Sequence, residues 1–109
     1  MTTTFVINSI CDHDVKITAS LNGSIIEVEL ESTCKKIRDY ASLINKLAIR
    51  EIAREILNNP IYIKASESRI DPNCLVPCGV AFCTWTEAGM VSKNLLSRMP
   101  AQCIVFKYG

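Results

Sequence analysis

Apolar and polar residues alternate with a two-residue period along the first third of the chain. Val15, Ile17 and Ala19 interleave with Lys16, Thr18 and Ser20, and Ile26, Val28 and Leu30 interleave with Glu27, Glu29 and Glu31. That period marks half-buried strands, because successive side chains point to opposite faces of a sheet. Between the two runs lies Leu21-Asn22-Gly23, and Asn-Gly is a strong short-range hairpin signal. Residues 4–10 are also β-rich and lead into the polar turn Cys11-Asp12-His13-Asp14. A three-stranded meander is predicted. One face of its third strand is entirely glutamate and must be solvated, so the other face needs a cover.

Helical spacing supplies that cover. Ile37, Tyr40, Ala41, Ile44, Leu47 and Ala48 fall on one helix face, with Ser32 or Thr33 placed to cap it. Ile49, Ile52, Ala53, Ile56 and Leu57 continue the spacing. One unbroken helix would be ~37 Å long at 1.5 Å per residue. The strands span only ~23 Å, so a break is expected around residues 45–48. Asn58-Asn59-Pro60 ends the second helix. Ile61-Tyr62-Ile63 has strand propensity, but Pro60 suits a first helical position, and a short helix is preferred there.

After the loop Asp71-Pro72-Asn73, a third main helix follows Cys74-Leu75-Val76-Pro77. Val80, Ala81, Phe82, Cys83, Trp85, Ala88 and Met90 make it apolar on most sides, and Gly89 is its stop signal. A polar connection through Ser92, Lys93, Asn94 and Arg98 then reaches Pro100 and a last strand at residues 102–108. The expected architecture is one α+β domain over residues 1–109. It is a two-layer sandwich in which an antiparallel sheet, the meander plus a C-terminal strand, is covered on one face by helices. Trp85, Phe82, Ile44 and Tyr40 are expected in its core.

Composition narrows the function classes. The chain has 109 residues, 49% of them hydrophobic, and a net charge of +1. Disorder and a basic nucleic-acid footprint are both excluded by that balance. No run approaches the ~20 apolar residues of a membrane span. Met1-Thr2-Thr3-Thr4-Phe5 lacks the basic start and apolar stretch of a secretory signal, so a cytoplasmic location is expected. In that compartment thiols stay reduced, and clustered cysteines point to metal or catalysis before a disulfide framework.

The chain has six cysteines. In a meander the first and third strands run parallel, so their C-terminal ends share one sheet edge, ~10 Å apart. Cys11 follows the first strand, and Cys34 follows the third at a helix N-terminus, where the dipole favours negative charge. Cys74 and Cys78 sit at the start of another helix that can be aimed at the same edge, four apart and so on one side of it. Four thiolates there would suit tetrahedral zinc or an iron–sulfur cluster. His13, the only histidine, is a candidate further ligand or an activating base, and otherwise an exposed turn residue. Cys83 and Cys103, in a buried helix and a strand, read as packing residues. Lys35, Lys36, Arg38, Arg50 and Arg54 are interleaved with acids and read as solvated helix faces. Gly23, Gly79 and Gly89 form no phosphate-binding pattern.

Four segments together resemble a family of short uncharacterised archaeal and bacterial proteins. These are Ile10-Cys11, Glu31-Ser32-Thr33-Cys34, Asn73-Cys74-Leu75-Val76-Pro77 and Glu87-Ala88-Gly89-Met90. The family's third motif is typically Cys-Pro-Val-Pro followed by a small residue. Here Leu75 stands in for the first proline and Cys78 for the small residue. Asp12-His13 replaces the family's usual glycine and aromatic. The resemblance implies a shared role for Cys11, Cys34 and Cys74 and no assigned activity. Its departures at Cys78 and His13 leave room for a three-thiolate site with an open position.

Three functions of different classes remain. The first is a small protein binding zinc or an iron–sulfur cluster, an accessory or carrier for a larger system. The second is a thiol redox protein or enzyme using Cys34 or Cys11. The third is a non-catalytic domain that docks on a protein partner and whose cysteines only pack, with no cofactor. Convergence of thiols follows from topology while no catalytic partner does, and the metal site leads.

Overall fold

The computed structural model describes residues 2–109. Thr2–Ile7 (β1), Val15–Asn22 (β2) and Ile25–Glu31 (β3) form the meander, and Lys46–Ala48 (β4) joins it beside β3. The sheet order is β1-β2-β3-β4 and every pair is antiparallel. Asn22 pairs with Ile25, which leaves Gly23 and Ser24 as the hairpin loop. Gly23 has φ +67° and Ser24 is not in the positive-φ region, the pattern of a type II′ turn. Ile17, Ala19, Ile26 and Val28 are buried on one face, and Glu27, Glu29 and Glu31 are exposed on the other.

Five helices follow: Lys35–Leu43 (α1), Ile49–Ile52 (α2), Pro60–Glu67 (α3), Val76–Glu87 (α4) and Lys93–Arg98 (α5), with a 3-10 turn at Ile56–Asn58. α1 and α4 pack on the sheet, giving the expected α+β layers. The fourth strand, however, is not the one the sequence pointed to. The expected helix break is real, but it holds β4, whose residues pair with residues 25–27 of β3. An unpaired β3 edge needs partners for its backbone groups. Leu47, at helical spacing from Ile44, reaches the core equally well from a short strand.

The second helix is a single turn. Leu57 is 85% exposed, so the apolar spacing beyond Ile52 marks no buried face. Residues 102–108 form no strand. The polar connection before them is instead α5, with the Ser92 hydroxyl accepting from Leu95 N–H at 3.4 Å, and the chain leaves it irregular. Cys103 is exposed rather than packed in the core.

Tyr40 and Ile44 are fully buried, and Trp85 packs against the same cluster while keeping some exposure. Phe82 lies at the rim, half-buried, with its ring 6.4 Å from that of Phe5. Two polar residues bind the layers together. Asn59 caps α3 by accepting from Ile61 N–H at 3.0 Å, and its amide donates to the carbonyls of Ile52 and Arg54. The Ile52 carbonyl also accepts from the Trp85 indole at 2.8 Å.

The second polar anchor is Glu87, whose side chain is fully buried. It accepts from the Thr3 hydroxyl at 2.8 Å and from Leu21 N–H at 3.0 Å, with Lys93 at 3.9 Å. Burial pushes its carboxyl up, but these donors and the Lys93 charge outweigh burial and hold it below its ordinary value.

Asn59→Ala removes a cap and two donor bonds and is expected to cost about 2–3 kcal/mol. Trp85→Phe should cost only about 0.5–1.5 kcal/mol, because the Ile52 carbonyl keeps the Asn59 amide. Urea midpoints check the order. The depressed Glu87 carboxyl contributes stability that is fully present above the unfolded-state value, ~4.3. That stability is lost as pH falls through the lower folded-state value. Glu87→Gln should therefore flatten the acid limb of a stability profile taken from about pH 7 to about pH 3.

Candidate functional site: the thiol edge

Register fixes one end of the sheet as the meeting place. Ile7, the last residue of β1, pairs with Val15, and Glu31, the last of β3, pairs with the adjacent Lys16. The connections leaving these two strands therefore emerge side by side. The first carries Cys11 in an exposed turn, which Asp12 completes at φ 64° with its N–H donating to the Ser9 carbonyl. The second carries Cys34, which is the N-cap of α1. Ser32, expected as a cap, instead accepts from Cys34 N–H at 3.2 Å. His13 and Thr33 join the two connections through a 2.8 Å Nδ1···Oγ1 hydrogen bond. Here the histidine ties loops together.

α4 supplies the third thiol. A Cβ built on Gly79 would lie 2.5 Å from Ile7 Cδ1 and 2.9 Å from Ile17 Cδ1, so the first turns of α4 sit almost on the strands. At its other end the Cys83 thiol donates to the Thr3 carbonyl and Glu87 reaches Thr3 and Leu21. α4 thus runs antiparallel to β1 and brings its N-terminus to the edge where Cys11 and Cys34 emerge. Cys74, just before it, donates its N–H to the Asp71 carbonyl, and Asp71 pairs with Lys36 of α1 at 3.3 Å.

The electrostatic surroundings of Cys74 follow from this placement. Burial pushes the Cys74 thiol up from its ordinary value, and a backbone hydrogen bond from Val76 opposes the shift. Cys11, Cys34 and Asp71 raise it further as neighbouring negative charges. Behind it lie two phenols. The buried Tyr40 hydroxyl, which donates to the Ile61 carbonyl at 2.7 Å, is raised by burial and then by Tyr62 and Cys74. Tyr62 is raised by burial and then by Cys78. Cys74 and Cys34 are half-buried against the core, while Cys11 and Cys78 are exposed.

The six cysteines therefore sort by position. Cys11, Cys34 and Cys74 share the edge. Cys78 lies one turn further along and is felt by Tyr62 of α3. Cys83 is a core residue whose thiol burial pushes up to about 12. Among the described residues, no three His, Cys, Asp or Glu side chains stand close enough together to hold a metal ion as they are placed. Tyr40, Tyr62 and the Lys36–Asp71 pair had no sequence signal tying them to the thiols. Only packing brings them there.

A family model matches residues 2–99. The chain belongs to DUF6951, a family of unknown function. The matched span includes Cys11, Cys34, Cys74 and Cys78 and stops short of Cys103. No curated protein and no solved structure matches the chain. Among the described residues no helix is long and apolar enough to cross a membrane.

Gly79→Val tests the close approach. It gains about 0.5 kcal/mol of helix propensity but forces a branched side chain between Ile7 and Ile17, at about 1–3 kcal/mol. The clash wins, and a net loss in thermal midpoint is expected. Mild oxidation of the native chain should join Cys74 to Cys11 or Cys34 before Cys78 or Cys103, and Gly79→Val should slow that step. Peptide mapping under non-reducing conditions reads both.

Proposed function

We propose that this edge is a soft-metal site, in which Cys11, Cys34 and Cys74 bind zinc or an iron–sulfur cluster as thiolates. The observation that carries the reading is geometric: the connections holding Cys11 and Cys34 leave one end of the sheet, and α4 begins there just after Cys74. Thiolates brought to one place repel one another, and a bound cation removes that penalty. Thiolates select zinc and iron–sulfur centres over hard cations.

Each ligand sits outside a regular element or at its first boundary: a turn, an N-cap and a pre-helix loop. Such segments can draw together on binding without breaking a strand or a helix. The fourth position falls to Cys78, to His13 or to a small exogenous ligand, and an open position suits a carrier or accessory role. A reducing, cytoplasmic setting keeps the thiols available.

The test is anaerobic purification followed by elemental analysis and a visible absorption spectrum. Metal retention at close to one centre per chain is expected. Cys11→Ser, Cys34→Ser and Cys74→Ser should each weaken uptake by at least about tenfold, whereas Cys103→Ser should not. A folded chain that takes up neither zinc nor iron with sulfide would sink the proposal. Rapid alkylation of Cys34 or Cys11 in that metal-free chain would then favour thiol chemistry.

A further inference from the structure

Residues 101–109 hold the densest run of exposed large hydrophobics among the described residues. Ile104, Val105, Phe106 and Tyr108 are all exposed, Phe106 at 77% and Tyr108 at 89%. Yet residues 102–108 have the composition of a strand: β-branched and aromatic, without proline or glycine, and with one charge. In extended conformation Ile104, Phe106 and Tyr108 share one face, opposite Cys103, Val105 and Lys107. The segment lies beyond residues 2–99, the span the family model matches.

The sheet has a matching vacancy. β1 is an end strand, so its outer row of backbone N–H and C=O groups has no strand partner. Along it runs a groove of about 500 Å³ whose walls include Thr4, Phe5, Val6, Thr86, Leu96 and Pro100. Four threonines and Lys93 line it beside Phe5, Val6, Leu96 and Pro100, a mixed surface on which a β-branched and aromatic strand can lie.

We propose that residues 102–108 add as a strand to β1 of a second copy of this chain, which returns the same segment, giving a two-fold exchanged dimer. The occupant is a second copy and not the chain's own segment because that segment starts at the groove wall, at Pro100, yet leaves Ile104, Phe106 and Tyr108 exposed. Pro100-Ala101-Gln102 carries no glycine, asparagine or aspartate, so no turn signal redirects the chain there. Met99 closes α5 with a bend, and residues 100–109 contain no further turn or bend. Extended, residues 101–109 reach ~30 Å, more than the 25 Å shortest dimension of the molecule. Four aromatic rings bury roughly 600–1,000 Å² between them. The paired strands add the remainder of the ~1,200 Å² that a stable specific interface needs.

The experiment is sedimentation of the full 109-residue chain across a concentration series, beside a chain ending at Pro100 and a Phe106→Asp variant. A dimer that the truncation abolishes, and that Phe106→Asp weakens at least about tenfold, supports the exchange. A monomer throughout, or a dimer that survives both changes, overturns it. Thr4→Cys and Val6→Cys on the edge strand, oxidised against native Cys103, separate the two possible occupants. Bridges between chains that Cys103→Ser removes support the second copy. Bridges within one chain only, or none at either position, overturn it.

Discussion

The close approach of α4 to β1 and β2 governs both the core and the thiol edge. Only glycine at position 79 lets the helix settle onto Ile7 and Ile17, and that contact fixes where the helix begins. With the start fixed, Cys74 falls beside the connections that leave β1 and β3. Buried threonines allow so apolar a helix to contain polar groups, since Thr84 and Thr86 donate to the carbonyls of Val80 and Phe82 one turn back. At the far end Glu87 fastens the helix to the opposite end of β1 and to the end of β2. The helix is therefore held at both ends by different physics: van der Waals proximity at one, a buried carboxylate at the other.

The same arrangement separates cysteines that composition alone treats alike. Cys83 is enclosed on the sheet-facing side of α4, and its hydrogen bond to the Thr3 carbonyl satisfies it there. Cys78, one turn earlier, is exposed on a side of the helix that meets α3. Cys74 precedes the helix altogether and takes its surroundings from two other connections. What distinguishes these thiols is the direction in which each leaves the helix, and charge and burial follow from that direction.

The meander, α1, α3 and α4 were legible because period, Asn-Gly, Asn59-Pro60 and Gly89 all act locally. The shared edge was legible too, since it follows from strand direction in any meander. β4 was not, because Leu47 satisfies a helical spacing and a strand position equally, and the choice depends on an edge formed by distant residues. The strand expected at residues 102–108 failed for the complementary reason: propensity describes a segment, while pairing needs a partner within reach. Cys11, Cys34 and Cys74 stood out in the sequence by their places at element boundaries, whereas the Tyr40 and Tyr62 hydroxyls near Cys74 and Cys78 come from helix packing that no local pattern encodes.

The hydrogen bond between Thr3 and Glu87 joins residues 84 positions apart in sequence. The hairpins and helix caps close short loops, whereas docking α4 must close nearly the whole chain, at a greater cost in chain entropy. Loop-closure entropy therefore disfavours seating α4 before the meander has formed. Until then Cys74 is remote from the connections that carry Cys11 and Cys34. Their approach is a property of the finished topology, and it makes the thiols themselves a clock for that step of folding.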